Sequence, residues 1–255
     1  MTRLSSGSPV SKLGLGTVKF GRNTGVKYPE GEGFALPDDK TINAIIDTCI
    51  DHGINLIDTA PAYGASEERL GQLLGARRDK FFLMTKTGEE FDGTSSTYIF
   101  TADHTRMSIE RSLKRLRTDY LDYVLVHSSR DDMQVIEQTD VIETLQRLKQ
   151  EGKIGKIGVS TYTIEGGKRA ALLTDAVMVA YNSQYTDEKP VIDFAAELQR
   201  DVFIKKGLAS GHIGKIGGVD ENIRHIAGIH GVTSLIIGSR NRDNISSNIN
   251  ALLKG

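Results

Sequence analysis

The sequence predicts an α/β protein of a single domain, a (β/α)8 TIM barrel of parallel strands, and three observations carry that expectation. Eight short apolar, β-branched runs recur along the whole chain. Segments of helical period lie between them, and the runs begin about 32 residues apart on average, the size of one strand–helix unit. The chain has 255 residues, which eight such units nearly fill and which commonly fold as one barrel.

Taken in order, a short leading segment, Met1 to Lys12, precedes strands expected at Leu13–Phe20, Ile54–Asp58, Phe81–Lys86, Asp122–His127, Lys156–Ser160, Ala176–Asn182, Asp201–Lys206 and Ser234–Gly238. After the first strand, Ile42, Ile45, Ile46, Cys49 and Ile50 form the apolar stripe of a helix. Asp38 or Asp39 stands where a side chain caps its start, and Gly53 where a glycine takes the left-handed turn that ends it. Met107, Glu110 to Leu116 and Val141 to Leu148 have the same amphipathic character, and Gly75 and Gly152 again mark helix ends. The last helix is expected to run to Leu253, leaving Lys254 and Gly255. An open doubly wound sheet fits less well. Its dinucleotide-binding form needs G-x-G-x-x-G after the first strand, and Gly14-Leu15-Gly16-Thr17-Val18-Lys19 lacks the third glycine. No phosphate loop of the G-x-x-x-x-G-K-[ST] type is present.

Composition narrows the function. Basic residues number 32 and acidic residues 33, a net charge of −1 that offers no field for nucleic acid or an anionic membrane. Cys49 is the single cysteine, so neither an internal disulfide nor a cysteine zinc site is possible within the sequence, and its place on the apolar stripe reads as core. His104, His212, His225 and His230 show no metal-ligand spacing, and no metal is expected. Met1 to Pro9 lack the apolar run of a secretory signal, and no stretch reaches the roughly 18 apolar residues of a membrane helix. A cytoplasmic protein, with a monomer favoured and a small-molecule substrate, is the expectation.

In a barrel the loops after the strands form the active-site face. Two long polar stretches, Gly21 to Pro37 and Gly88 to Ser96, follow the first and third strands and are expected to wall a ligand site. Phe20, Tyr28, Phe34 and Phe91, in or beside them, are candidates to line a substrate pocket. Consecutive strands end in titratable residues: the second in Asp58, the third in Lys86 and the fourth in His127, with Tyr63 just after the second. Free tyrosine has a pKa near 10, and an adjacent ammonium stabilises the phenolate and lowers it. A buried lysine needs a counter-charge, which Asp58 can supply. A histidine beside the phenol orients a carbonyl oxygen or relays the proton. The set suits carbonyl reduction by an external hydride carrier, and no nucleophile–histidine–carboxylate set is apparent.

The segment Gly53-Ile54-Asn55-Leu56-Ile57-Asp58-Thr59-Ala60-Pro61-Ala62-Tyr63-Gly64, followed by Ser66-Glu67 and Leu70-Gly71, resembles the signature of the aldo/keto reductases. Leu13 to Thr17, Thr85-Lys86, Leu121 to His127, and Gly152 to Ile154 with Gly158 to Ser160 continue the likeness in order, across essentially the whole chain. The resemblance implies a barrel that binds a nicotinamide dinucleotide, usually NADPH, and reduces an aldehyde or ketone to an alcohol. By position Tyr63 is the implied proton donor, Lys86 and Asp58 the pair that tunes it, and His127 the residue that orients the carbonyl. Ser160 fits the residue that touches the nicotinamide carboxamide. Thr161 replaces a frequent asparagine, Met178 a frequent glutamine, and Lys205 an aromatic residue that stacks on the ring. Ser239 and Arg240, in Gly238-Ser239-Arg240-Asn241, with Asn244 and Asn248 on the last helix, resemble the adenosine-phosphate site. Arg240 there suits a 2′-phosphate. Many members carry a further C-terminal loop over the substrate; its absence here implies a short, divergent member with an open site. Two alternatives remain: an NADP(H)-binding redox sensor or regulatory subunit on the same fold, motivated by Thr161, Met178 and Lys205, and a lyase forming a Schiff base on Lys86.

Overall fold

Eight parallel strands close into a barrel in a computed structural model that describes residues 1–253 apart from Lys27, Glu30 and Ile216. They are β1 (Leu13–Gly16), β2 (Leu56–Asp58), β3 (Phe82–Thr87), β4 (Leu121–His127), β5 (Ile154–Ser160), β6 (Ala176–Ala180), β7 (Asp201–Lys205) and β8 (Val232–Ile237). Neighbours in sequence are neighbours in the sheet, and β8 pairs with β1 to complete the ring. Helices return the chain along the outside, beginning with Asp39–Asp51 and Ser66–Leu74 and ending with Arg242–Leu253. Lys254 and Gly255, expected beyond that last helix, lie outside the described residues. No helix among those described is long and apolar enough to cross a membrane.

Alternation along the strands divides the apolar side chains between two cores. Leu56, Met84, Tyr123, Leu125, Met178 and Phe203 point into the barrel, while Ile57, Leu83, Val124 and Val126 meet the helices outside. The stripe Ile42, Ile45, Ile46 and Cys49 covers the outer face, and burial pushes the Cys49 thiol up to about 12, as suits a packing residue. Asp38, of the two expected caps, holds the start of its helix by accepting from Thr41 N at 2.8 Å. Gly53 ends it at a φ of 71°.

The other strand bounds agree with expectation to within two residues, and two segments depart further. β1 stops at Gly16 instead of reaching Phe20. Thr17 donates through both its N and its Oγ1 to the Asp58 carbonyl, at 3.0 and 2.9 Å, and this turns the chain into a single helical turn, Val18–Gly21. The apolar run that resembled a strand thereby lays Phe20, fully buried, into the outer core. Phe20 is therefore a packing residue and not a wall of the mouth. The polar stretch after β3 is also more ordered than expected, because Glu89–Phe91 pairs antiparallel with Ser96–Tyr98.

The leading segment closes the barrel floor. Thr2–Arg3 and Pro9–Val10 form a hairpin whose neighbouring Leu4, with Val10, joins the inner core. Asp201, 2% exposed at the start of β7, fastens it. Its carboxylate accepts from Ser5 N and Ser5 Oγ, both at 2.8 Å, and from Tyr123 Oη and Lys156 Nζ, both at 2.7 Å. Asp201→Asn is expected to lower stability by about 2 kcal/mol, through loss of the charge on those four donors. Turnover per folded molecule, at the opposite end of the barrel, should not change. Urea denaturation checks this, and an unchanged midpoint would show that the carboxylate does not hold the floor.

Candidate active site

Period-two alternation also builds the site. Leu56, Met84 and Leu125 fill the barrel, so the inward residues two further along β2, β3 and β4 are Asp58, Lys86 and His127 at the C-terminal rim. On β5 and β7 the corresponding residues are Ser160 and Lys205.

Tyr63 reaches this rim on a short 3-10 turn, Pro61–Tyr63. Pro61 presets φ at its start. Gly64 leaves it at φ 61°, and a Cβ there would lie 2.2 Å from the Gly21 carbonyl oxygen, so the two loops can meet only without one. Beneath them Ser66 Oγ donates to Thr17 Oγ1 at 2.8 Å and lies 3.1 Å from Thr59 Oγ1, which locks the ends of β1 and β2 together. Glu67, fully buried, accepts from Thr85 Oγ1 at 2.6 Å and ties the next helix to β3.

The four residues singled out from strand ends meet. Lys86, 1% exposed, donates to Asp58 Oδ1 and, at 2.9 Å, to the Thr59 carbonyl. Its ammonium lies 4.8 Å from the centre of the Tyr63 ring. Tyr63 and His127 stand edge to face, with ring centres 6.2 Å apart. Burial pushes the Asp58 carboxyl up, and Lys86 pulls it back. The Tyr63 phenol is not lowered, as the lysine beside it had suggested. Burial and then the Asp58 charge push it well above its ordinary value near 10. The group is thus held firmly protonated. Burial pushes the His127 imidazole down, while Glu89 opposes.

A second cluster lies on β5 and β7. Lys205 Nζ donates to Ser160 Oγ at 2.9 Å and to the Thr161 carbonyl at 2.7 Å, and sits 4.2 Å above the Tyr162 ring. Burial lowers its pKa to about 7, against the pull of Glu188. Thr161 Oγ1 is buried and lacks a hydrogen-bond partner among the described residues. Met178, where a carboxamide-binding glutamine is frequent in the resemblance, belongs to the inner core.

The end of β8 carries the third group. Ser239 Oγ and Asn241 N bond at 3.0 Å, and Asn241 Oδ1 accepts from Asp243 N at 2.7 Å, shaping the start of the helix Arg242–Leu253. Gly238 is bare backbone against Gly16, where a Cβ would fall 2.9 Å from the Gly16 oxygen. Arg240 Nη1 donates to the Ala35 carbonyl at 3.0 Å, with its guanidinium 4.7 Å from the Phe34 ring centre. Asn244 is exposed on the first turn; Asn248 is largely buried and borders a small apolar void with Leu13, Leu15 and Ile245. Ser160 and Lys205 at the ends of β5 and β7 and the helix start beside Arg240 after β8 lie on one rim, and their chemistry suits the two ends of a dinucleotide.

Around the mouth, Tyr28 and Phe34 pack edge to face with centres 6.1 Å apart, and Arg22 stacks 3.7 Å from the centre of Phe91. Three site-facing residues were not singled out from the sequence: Glu89, Arg22 and Tyr162. Their only sequence signal is position, in the loops directly after β3, β1 and β5.

Comparison with known proteins bears on the family and the fold. A profile of the aldo/keto reductase family matches residues 12–214. A Pseudomonas aeruginosa chain assigned to the aldo-keto reductases is 43% identical, with a TM-score of 0.88 over 98% of this chain and 92% of that one. Methylglyoxal reductase DkgB of Salmonella typhi is 30% identical over 238 residues, 85% of this chain and 83% of that protein. Aldo-keto reductase YhdN of Bacillus subtilis is 39% identical over 166 residues, 63% of this chain. That match spans 46% of YhdN, and this chain spans about half the length of the first such relatives. The holo form of AKR11C1 from Bacillus halodurans shares the fold, at a TM-score of 0.80 and 21% identity over 98% of this chain and 89% of that one. The chain belongs to the aldo/keto reductase family of oxidoreductases.

Proposed function

We propose that the chain reduces an aldehyde or ketone to an alcohol with NADPH, and that Tyr63 is the proton donor. The observation that carries this reading is the half-buried Tyr63, its phenol pushed well above 10, its ring beside the Lys86 ammonium of the Lys86–Asp58 pair and edge to face with His127. Such a group gives up a proton only where a developing oxyanion takes it. When bound, NADPH supplies a hydride to the carbonyl carbon. Tyr63 protonates the oxygen, Lys86 steadies the phenolate left behind, Asp58 balances the buried ammonium, and His127 orients the oxygen. In reverse the phenolate takes the proton of an alcohol. A methylglyoxal reductase among the relatives supports the reaction class.

Ser160, Thr161 and Lys205 would hold the carboxamide end, and Ser239, Arg240, Asn244 and Asn248 the adenosine end. Tyr28, Phe34, Phe91 and Tyr162 would contact the substrate. Fluorescence titration with NADPH and NADH, followed by a panel of aldehydes, ketones and alcohols, tests the reading. NADPH should bind more tightly. Arg240→Ala should weaken NADPH about tenfold, one charge-assisted contact, and leave NADH nearly unchanged. Equal losses for both would remove Arg240 from 2′-phosphate recognition. Lys205, already bonded to Ser160 and the Thr161 carbonyl, favours one second reading, a nucleotide-binding sensor. Tight NADPH binding with no turnover on the panel would select it.

A further inference from the structure

A fifth titratable group, itself buried, stands against the four at the rim. Glu89 opens the hairpin directly after β3 and is 8% exposed. Its Oε2 lies 2.7 Å from His127 Nδ1. Its Oε1 accepts from Arg22 Nη1 at 3.2 Å and from Ser96 Oγ at 2.5 Å. Arg22 is fixed in turn by donating to the carbonyls of Ala62 and Thr24, both at 3.0 Å, and of Gly25 at 3.1 Å. One carboxylate oxygen is therefore clamped while the other faces the imidazole.

Two bare lone pairs do not rest 2.7 Å apart; the contact requires a proton. Burial pushes the Glu89 carboxyl up, but His127, Ser96 and Arg22 outweigh burial and hold it down at about 2, so the proton belongs to the ring. The contact lies off the line of the ring N–H, which makes it a close electrostatic contact more than an aligned hydrogen bond. We propose that Glu89 is a positioning residue of the site, holding a proton on His127 Nδ1 and leaving Nε2 as the nitrogen that meets the substrate oxygen. The proposal rests on the reading that His127 faces a bound carbonyl. Among the described residues, the other charged or titratable groups that act most on His127 or pack against it are Tyr63 after β2, Asp58 on β2, Lys86 on β3 and Lys205 on β7. The two ammonium groups and burial oppose a charged imidazole, and Glu89 is the contact that favours it most directly.

The test is the titration of the His127 ring C–H by NMR in the cofactor-free protein. Glu89→Gln should move its midpoint down by about one pH unit or more, the effect of losing an adjacent opposite charge. Turnover should fall with it, while NADPH affinity stays the same. Glu89→Asp keeps the charge for Arg22 and Ser96 but shortens the reach to Nδ1; it should move the midpoint the same way by less, and it decides the matter if the glutamine variant does not fold. An unchanged midpoint in either folded variant overturns the role of Glu89. Full turnover by Tyr63→Phe would instead overturn the proposed reaction, leaving the titration readable on its own.

Discussion

Tyr63→Phe is expected to cut turnover of a carbonyl substrate by about 10²–10⁴-fold, the usual yield of a positioned general acid, while NADPH binds as before. The substitution removes one oxygen and no charge. The turn that carries the residue is set by Pro61, Gly64 and the Thr17–Ser66–Thr59 hydroxyl cluster, none of which uses the phenol. The ring would keep its edge-to-face contact with His127 and its place over Lys86. Fluorescence titration separates binding from chemistry, and steady-state rates measure the chemistry. A variant that binds NADPH and turns over within a few-fold of the parent would show that the proton comes from elsewhere, with His127 the next candidate.

The barrel and the core of the site were legible because both follow from strand periodicity. An apolar residue inside the barrel places the residue two positions later at the rim, so Leu56, Met84 and Leu125 announce Asp58, Lys86 and His127. Loops obey no such period. Phe20 looked like strand and mouth, yet two bonds from Thr17 to one carbonyl curl the chain and bury it. Glu89 sat in a stretch that read as polar loop, because the pairing of Glu89–Phe91 with Ser96–Tyr98 depends on a turn chosen by side chains, not on alternation. The direction of the Tyr63 shift was also out of reach. It depends on how deep the phenol lies and on how close the Asp58 charge stands, and both are properties of packing.

Lys86→Met should damage the protein in a way that distinguishes charge from shape. Lys86 and Asp58 are a buried pair, with side chains 2% and 5% exposed. Removing one member leaves the other charge without a partner, at a cost of about 3–5 kcal/mol. Asp58 is already pushed up by burial with Lys86 the main opposing group, and without that ammonium only the weaker pulls of His127 and Lys205 remain. A carboxyl whose folded pKa exceeds its unfolded value binds its proton more tightly when folded. The variant should therefore be most stable below the ordinary carboxylate value near 4, and lose stability as pH rises from there through the raised folded value. The parent should show the same sign more weakly. Thermal melts at about pH 5 and about pH 8 measure the difference; a variant no more pH-sensitive than the parent would mean that Asp58 finds another partner or water. Asp58→Asn with Lys86→Met removes both charges and should recover most of the lost stability. It should recover none of the turnover, since the phenolate that Tyr63 must become would have no cation beside it. Restored stability with absent turnover is the pattern expected of a pair retained for its chemistry, and restored turnover would make the pair merely structural.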